Sequence, residues 1–512
     1  MMMQALKAKF KGNLNHEILV IFLISFCFAI FTNSANIYVT HLMYGSEGDI
    51  LYGSTLGSPD NAWYLNQIKN YLNGFGFTID PLDPIYAVRR TPGYPIFYGL
   101  HFMFFGEAWA HKIIPYTQTF LHAFAAVYLY KTAKLIFSNS RVAYWSGVLY
   151  GLSPFVVSFL FMTITESLFP AIIIFSLYFA VSSYVSMSVP ISIFAGIMMA
   201  VVVLIRPMAG LTLLFLIPLA FYFKKISKGK LIKNNAILIL AFVITMTPWG
   251  LRNYLVFKEF VPLETYYLSP MYEGQNIKNV ALARWWMTWG NPDHVSLHNA
   301  INADINTDKP YKTIDDFIDN HVVYWIYNVQ SKEQLRNLLI DYQRCMSKEI
   351  DLNGGRRLRY MESPDLCEYK ISDRFNFFTE KIKSQYPFEV YLKTPLLKRG
   401  ISYIFHSAIH TWRSLDDYKN HEAKIVIKCF AYSVNIALWL FSIAYLISPR
   451  DANEKFLLGI VPLASFIFVI FYLHVEGRYL LAIYPFLYLM SVVFIFEVLI
   501  PILKKYSLRL KN

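Results

Sequence analysis

The sequence predicts an all-α polytopic membrane protein with about ten transmembrane helices, in a range of roughly 9–13. Three observations predict it. The chain of 512 residues is 55% hydrophobic and only 16% charged, against roughly 25% charged for a soluble protein. Its mean hydropathy is +0.37, and apolar runs of about 17–25 residues, long enough to cross a bilayer, recur along it. The positive charges, finally, are gathered into short clusters between apolar runs, the pattern that sets membrane orientation.

Taken in order, the first apolar run covers about residues 18–38. It follows Lys7, Lys9 and Lys11 and lacks a small-residue cleavage site, so it reads as a retained anchor rather than a signal peptide. Residues 39–110 form a first outer loop. Within it Tyr94–Phe105 is apolar but too short to cross, and is expected to lie in the interface. Further spans are expected at 112–130, 143–163, 167–184, 189–205, 208–223 and 235–249. The basic turns at 131–141 and Lys224–Lys233 alternate with uncharged turns, as short cytoplasmic loops do. Spans at 426–447, 456–473 and 479–502 complete the path in a cell membrane, with both ends inside. Three parts follow: an N-terminal membrane module (1–250), an outer helical segment (251–425) and C-terminal membrane helices (426–512). Most of the net charge of +13 sits in the basic turns, which makes it a topology signal and argues against nucleic-acid binding.

In the outer segment Thr313-x-x-Asp316 reads as a capping box opening a helix, with apolar residues at helical spacing through Leu339. Trp285, Trp286 and Trp289 suit either sugar stacking or the interface, and the interface is favoured. Cys345 and Cys367 fall on the outer side, where a disulfide can form, and two free thiols are the equal alternative. Cys27 and Cys429 lie in spans.

On this topology a set of ionisable groups converges on the outer face. Asp60 sits in the first loop with Tyr64, Arg89, Arg90 and Tyr94 along it. Glu166 lies at the turn before the span at 167–184, and Arg206 at the turn after the span at 189–205. Arg252 follows Pro248-Trp249. His474, Glu476, Arg478 and Tyr479 occupy the last outer turn. Charged groups at span ends are costly unless paired or solvated, so they are functional candidates by default. Singly, each has a plainer role: an arginine can be a headgroup anchor, Glu166 can pair with Arg206, and Asp60 can cap a helix from Asn61.

Together they suit sugar transfer from a lipid phosphate. A planar guanidinium holds and neutralises a departing phosphate. A carboxylate takes the proton of an acceptor hydroxyl, and the sugar passes through an oxocarbenium-like state as in glycoside hydrolysis. The sequence carries no Walker loop or dinucleotide fingerprint and no nucleophile elbow. No cofactor is required by this chemistry. A divalent ion between Asp60 and Glu166 is compatible with it but not needed by a monophosphate leaving group.

The motifs also resemble a known family. Asp60-x-x-x-Tyr64, Gly74-Phe75-Gly76-Phe77 and Arg90-Thr91-Pro92-Gly93-Tyr94-Pro95 resemble the first outer loop of protein-mannosyltransferase-like, family 39-type GT-C glycosyltransferases. These are related to the aminoarabinose lipid A transferases. Thr165-Glu166-Ser167-Leu168-Phe169, Arg206-Pro207, Pro248-Trp249-x-x-Arg252-Asn253-Tyr254 and Glu476-x-Arg478-Tyr479-Leu480-Leu481 follow in the family's order. The resemblance implies a GT-C fold and inverting transfer from a polyprenyl-phosphate sugar to an envelope glycolipid, polysaccharide or protein on the outer face. It implies Asp60 as the catalytic carboxylate, Glu166 as a second acid in the same cavity, and the arginines at 89–90, 206, 252 and 478 as candidates for the carrier phosphate. Two other functions compete. One is an envelope polysaccharide polymerase or ligase using polyprenyl-diphosphate donors. The other is a lipid-linked sugar transporter or flippase, for which the paired broken spans of repeated halves are missing.

Overall fold

The computed structural model describes residues 14–44, 50–51, 55–56, 60–81, 90–223, 226–258, 260–263, 277–290, 294–305, 307–350, 366–405, 421–472 and 476–509. Among these, six helices are long and apolar enough to cross a membrane. They are α1 (Leu14–Tyr44), α5 (Phe169–Ser186), α8 (Lys228–Phe257), α14 (His421–Ile447), α15 (Ala452–Tyr472) and α16 (Tyr484–Phe494). The last runs on through a π-helical stretch, Ile495–Leu499, into α17 (Ile500–Arg509). The only strands among the described residues are a two-residue hairpin, Ile50–Leu51 with Thr55–Leu56. The chain is an all-α polytopic membrane protein, as its composition predicts.

Four further expected spans are not among these six. The run 112–130 is the second half of α3 (Gly93–Ile136), whose first half is set off by a break at Gly106. Gly106 has φ 75°, a backbone that a side chain resists. The first half, the segment expected in the interface, is a helix that exposes Met103, Phe104 and Phe105. The run 189–205 is α6 (Val189–Ile205). The run 208–223 is a 3-10 stretch, Pro207–Phe215, followed by α7 (Leu216–Tyr222).

The expected span at 143–163 is not one helix, which corrects the hydropathy reading. α4 (Ser140–Gly151) ends early, one turn follows at Pro154–Val157, and residues 158–164 lack helix yet are buried throughout. Pro154 breaks the ladder, and protein on all sides permits the irregular backbone at this depth. Gln118 of α3 supplies partners, its Nε2 donating to Leu160 O at 2.6 Å and Met162 O at 3.1 Å.

The segment between α8 and α14, expected to lie outside, has its own core, built from α9 (Ile277–Met287), α10 (His294–Asp304), α11 (Lys312–Asn320), α12 (Lys332–Ile350) and α13 (Leu366–Gln385). Trp285 and Trp289 are its largest buried side chains, with Trp285 5.6 Å from Phe375 and Trp289 6.2 Å from Phe317, ring centre to ring centre. Trp286 packs edge-on to Phe317 at 5.0 Å. Trp285 and Trp289 therefore serve a protein core rather than the interface or a sugar, and Trp286 packs on its edge, partly buried. The capping box is not made either. α11 opens one residue before Thr313, whose N–H is held by Asp304 Oδ2 at 2.6 Å, and a 3-10 turn at Tyr324–Asn328 divides α11 from α12. Cys345 and Cys367 form a disulfide joining α12 to α13.

Candidate active site

The site is assembled where helix ends meet. Asp60 immediately precedes α2 (Asn61–Leu72), but its side chain makes no cap hydrogen bond. Its Oδ2 instead accepts from Arg478 Nη1 at 2.7 Å. The capping role expected of a lone Asp60 is replaced by a charge pair across the molecule. Glu166 sits in a 3-10 turn, Thr165–Ser167, just ahead of α5. Its Oε1 lies 2.6 Å from Arg206 Nη1 and 3.3 Å from Arg478 Nη1. Glu476 is paired with Arg478 Nε. One guanidinium thus gathers three carboxylates from three regions of the chain.

Local sequence explains the positions. Arg206 ends α6, where Pro207 supplies no N–H and turns the chain. Gly93 opens α3 against that same corner. A Cβ there would stand 2.6 Å from Ile205 N, so only glycine lets the Arg90-Thr91 loop close on Arg206. Thr91 Oγ1 reaches Ile205 O at 3.5 Å, and Gln67 Nε2 holds Arg90 O at 3.0 Å. Arg90 lies over the Tyr64 ring at 5.7 Å, and Arg206 over Tyr479 at 5.7 Å and Phe169 at 5.3 Å. Tyr64 meets Tyr94 edge to face at 5.6 Å.

Two residues overlooked in the sequence complete the frame. The Thr165 hydroxyl donates to Glu166 Oε2 at 2.8 Å, receives Arg206 Nη1 at 2.9 Å, and lies 3.5 Å from Tyr64 OH. Gln118 Oε1 accepts from Tyr94 OH at 2.9 Å and from Ser167 Oγ at 2.7 Å. Gln118 therefore fixes the Glu166 turn from behind. A glutamine within an apolar run was the available signal, because such a group must find partners.

Electrostatics divide the two acids. Burial alone would raise the Glu166 carboxyl, but Arg206 and then Arg478 overcome it and hold the group down at about 2. Arg478, despite burial, keeps its proton more firmly than usual through Glu166 and Glu476. Glu166 is 1% exposed, whereas Asp60 is 28% exposed.

Arg252 is not brought to this cluster. Its Nη2 donates to Phe77 O at 2.6 Å and its guanidinium lies 5.1 Å from the Trp249 ring, so it ties the first loop to α8. Arg89 and His474 lie outside the described residues. Among the described residues no group of three or more His, Cys, Asp or Glu side chains is spaced to hold a metal ion.

The chain is an all-α polytopic membrane protein, and its fold is like that of a solved oligosaccharyltransferase. The apo oligosaccharyltransferase of Archaeoglobus fulgidus matches 96% of this chain at 14% identity and TM-score 0.50, with 52% of that chain covered. The chain therefore spans about half the length of that enzyme. Archaeoglobus fulgidus AglB, in complex with an inhibitory peptide and a dolichol-phosphate, aligns over 97% of this chain and 52% of its own at 11% identity, TM-score 0.49. ArnT from Cupriavidus metallidurans bound to undecaprenyl phosphate aligns over 90% of this chain and 76% of its own at 13% identity, TM-score 0.34. No family model matches the sequence, and no curated protein matches it.

Proposed function

We propose that the chain is an integral-membrane glycosyltransferase. It moves a sugar from a polyprenyl-phosphate donor to an envelope glycolipid, polysaccharide or protein, on the outer face and with inversion. The observation that carries this is the pairing of a partly exposed Asp60 with a buried Glu166 through the shared Arg478.

The geometry supports a division of labour. Glu166 stays ionised through the physiological range and is committed to Arg206 and Arg478. It positions the cations and does not shuttle protons. Asp60 is the group open to an incoming hydroxyl. In a single displacement Asp60 takes the acceptor proton, the acceptor oxygen bonds to the anomeric carbon, and the bond from that carbon to the phosphate oxygen breaks. The charge left on the lipid phosphate needs guanidinium donors. Arg206, whose Nη1 reaches both Glu166 and Thr165, and Arg90 beside Tyr64 are placed to supply them.

The outer face is supported by two features. The Cys345–Cys367 disulfide belongs to an oxidising compartment. The basic residues at the start of α8 mark its cytoplasmic end under the positive-inside tendency, and Arg252 lies near the other.

The test compares cells carrying wild type or Asp60→Asn at matched protein levels, by mass spectrometry of envelope glycans and lipid-linked sugars. Loss of one defined sugar with accumulation of its polyprenyl-phosphate donor is expected, corresponding to a rate lower by about 10²–10⁴. Unchanged glycans would remove Asp60 from the chemistry and sink the proposal.

A further inference from the structure

The helical run that follows α13 does not stay with the outer core. Glu389–Gly400 is π-helical with Pro395 inside, and continues as α-helix over Ile401–Ile404. Its buried face meets the membrane spans. A Cβ on Gly400 would lie 3.0 Å from Phe466 Cζ. Arg399 Nη1 donates to Ile470 O at 2.6 Å. The Tyr403 ring lies 6.2 Å from Trp439 and 6.0 Å from Phe466, and Asn435 Nδ2 donates to Ile404 O at 2.7 Å.

Those partners fix a depth. Phe466 is about six residues inside the Tyr472 end of α15, or roughly 9 Å at about 1.5 Å per residue. Asn435 is about ten residues inside Ile425, where the apolar stretch of α14 begins, or roughly 15 Å. Half the hydrocarbon thickness of a bilayer is about 15 Å. The end of the run therefore sits at acyl-chain level in the leaflet on the site's side. Its opposite face is largely apolar and uncovered by protein: Tyr391, Leu392, Leu396, Leu397, Ile401 and Phe405 are 39–57% exposed, with Lys393 and Lys398 exposed beside them.

We propose that the end of this run, about residues 394–405, forms a half-span inserted in that leaflet, with its apolar residues against lipid acyl chains. A helical backbone satisfies its own polar groups, which hydrocarbon demands. The charges are accommodated: Lys393 pairs with Glu389 at 3.1 Å, Lys398 Nζ reaches Trp289 O at 3.3 Å, and Arg399 is spent on carbonyls of Gly290 and Ile470. These charges are also why an apolar-run search passes over the segment. A water-soluble partner could not reach a face at this depth. The inference does not depend on glycosyl transfer.

The test uses full-length protein in nanodiscs, with Cys27→Ser and Cys429→Ser and the native disulfide kept. Leu397→Cys and Ile401→Cys carry a nitroxide, and Tyr324→Cys, at a position 83% exposed in the outer segment, is the control. At positions 397 and 401 collisions with oxygen are expected to exceed those with a water-soluble nickel chelate several-fold, with the order reversed at 324. Equal nickel access at all three positions would overturn the proposal. Should the variants misfold, the unmodified protein is photolabelled with a diazirine phospholipid. Adducts within 394–405 are expected, and their absence alongside labelled spans would refute it.

Discussion

Replacing Glu166 by glutamine removes one charge from a buried cluster without changing its shape, and the consequence can be worked from the site. The two arginines lower this carboxyl from 4.5 to about 2. At about 1.36 kcal/mol per unit, ionised Glu166 stabilises the folded protein by about 3 kcal/mol at neutral pH. The folded-state value is depressed, so this stability is fully present above the unfolded value near 4.5 and is lost as pH falls toward 2. Glu166→Gln forfeits it and takes from Arg206 its carboxylate partner, while Arg478 keeps Asp60 and Glu476. Unfolding in mixed micelles, followed by tryptophan fluorescence at stepped pH, should show the variant weaker by about 3 kcal/mol at neutral pH. By about pH 3 less than half of that difference should remain. A gap that does not change with pH, or a variant as stable as wild type, would refute the charge argument.

Arg478→Lys keeps the charge but loses the fork that joins Asp60, Glu166 and Glu476. Sugar transfer from a polyprenyl-phosphate donor should fall roughly 10–100-fold, at about 1.4 kcal/mol per tenfold, with the loss mainly in kcat. Arg252→Ala gives up the donation to Phe77 O, worth about 1.5–3 kcal/mol for a charged group, and should register in unfolding measurements more than in turnover. Trp285→Ala should cost the outer core about 3–5 kcal/mol. Limited proteolysis should then cut within the outer segment while the spans remain intact.

The charged members of the site were legible because each ends an apolar run. Glu166, Arg206 and Arg478 stand beside span ends and Asp60 in the loop after the first span, and charges at such places must be paired or solvated. Their mutual geometry was not legible, since it depends on contacts between distant parts of the chain. Gln118 illustrates the limit: its partners Leu160, Met162 and Ser167 lie 42 to 49 positions away. The stretch 143–163 misled for another reason. Hydropathy reports burial, and this segment is buried, but burial does not imply helix once Pro154 interrupts the ladder. The tryptophans at 285–289 misled because surface stacking and core packing draw on the same apolar rings, and only the helices around them decide between the two.

The tie between Asp60 and Arg478 spans 418 positions, and that distance is also an interval of time. At roughly 5–20 residues per second, Asp60 emerges from the ribosome roughly 20–80 s before its cation does. Glu166 and Arg206, 40 positions apart, can meet early and give the half-made bundle one closed pair. Asp60 receives the guanidinium it shares with Glu476 only once Arg478 has been made. Until Arg478 emerges Asp60 waits for its cation, and the three carboxylates are gathered in one step when it does.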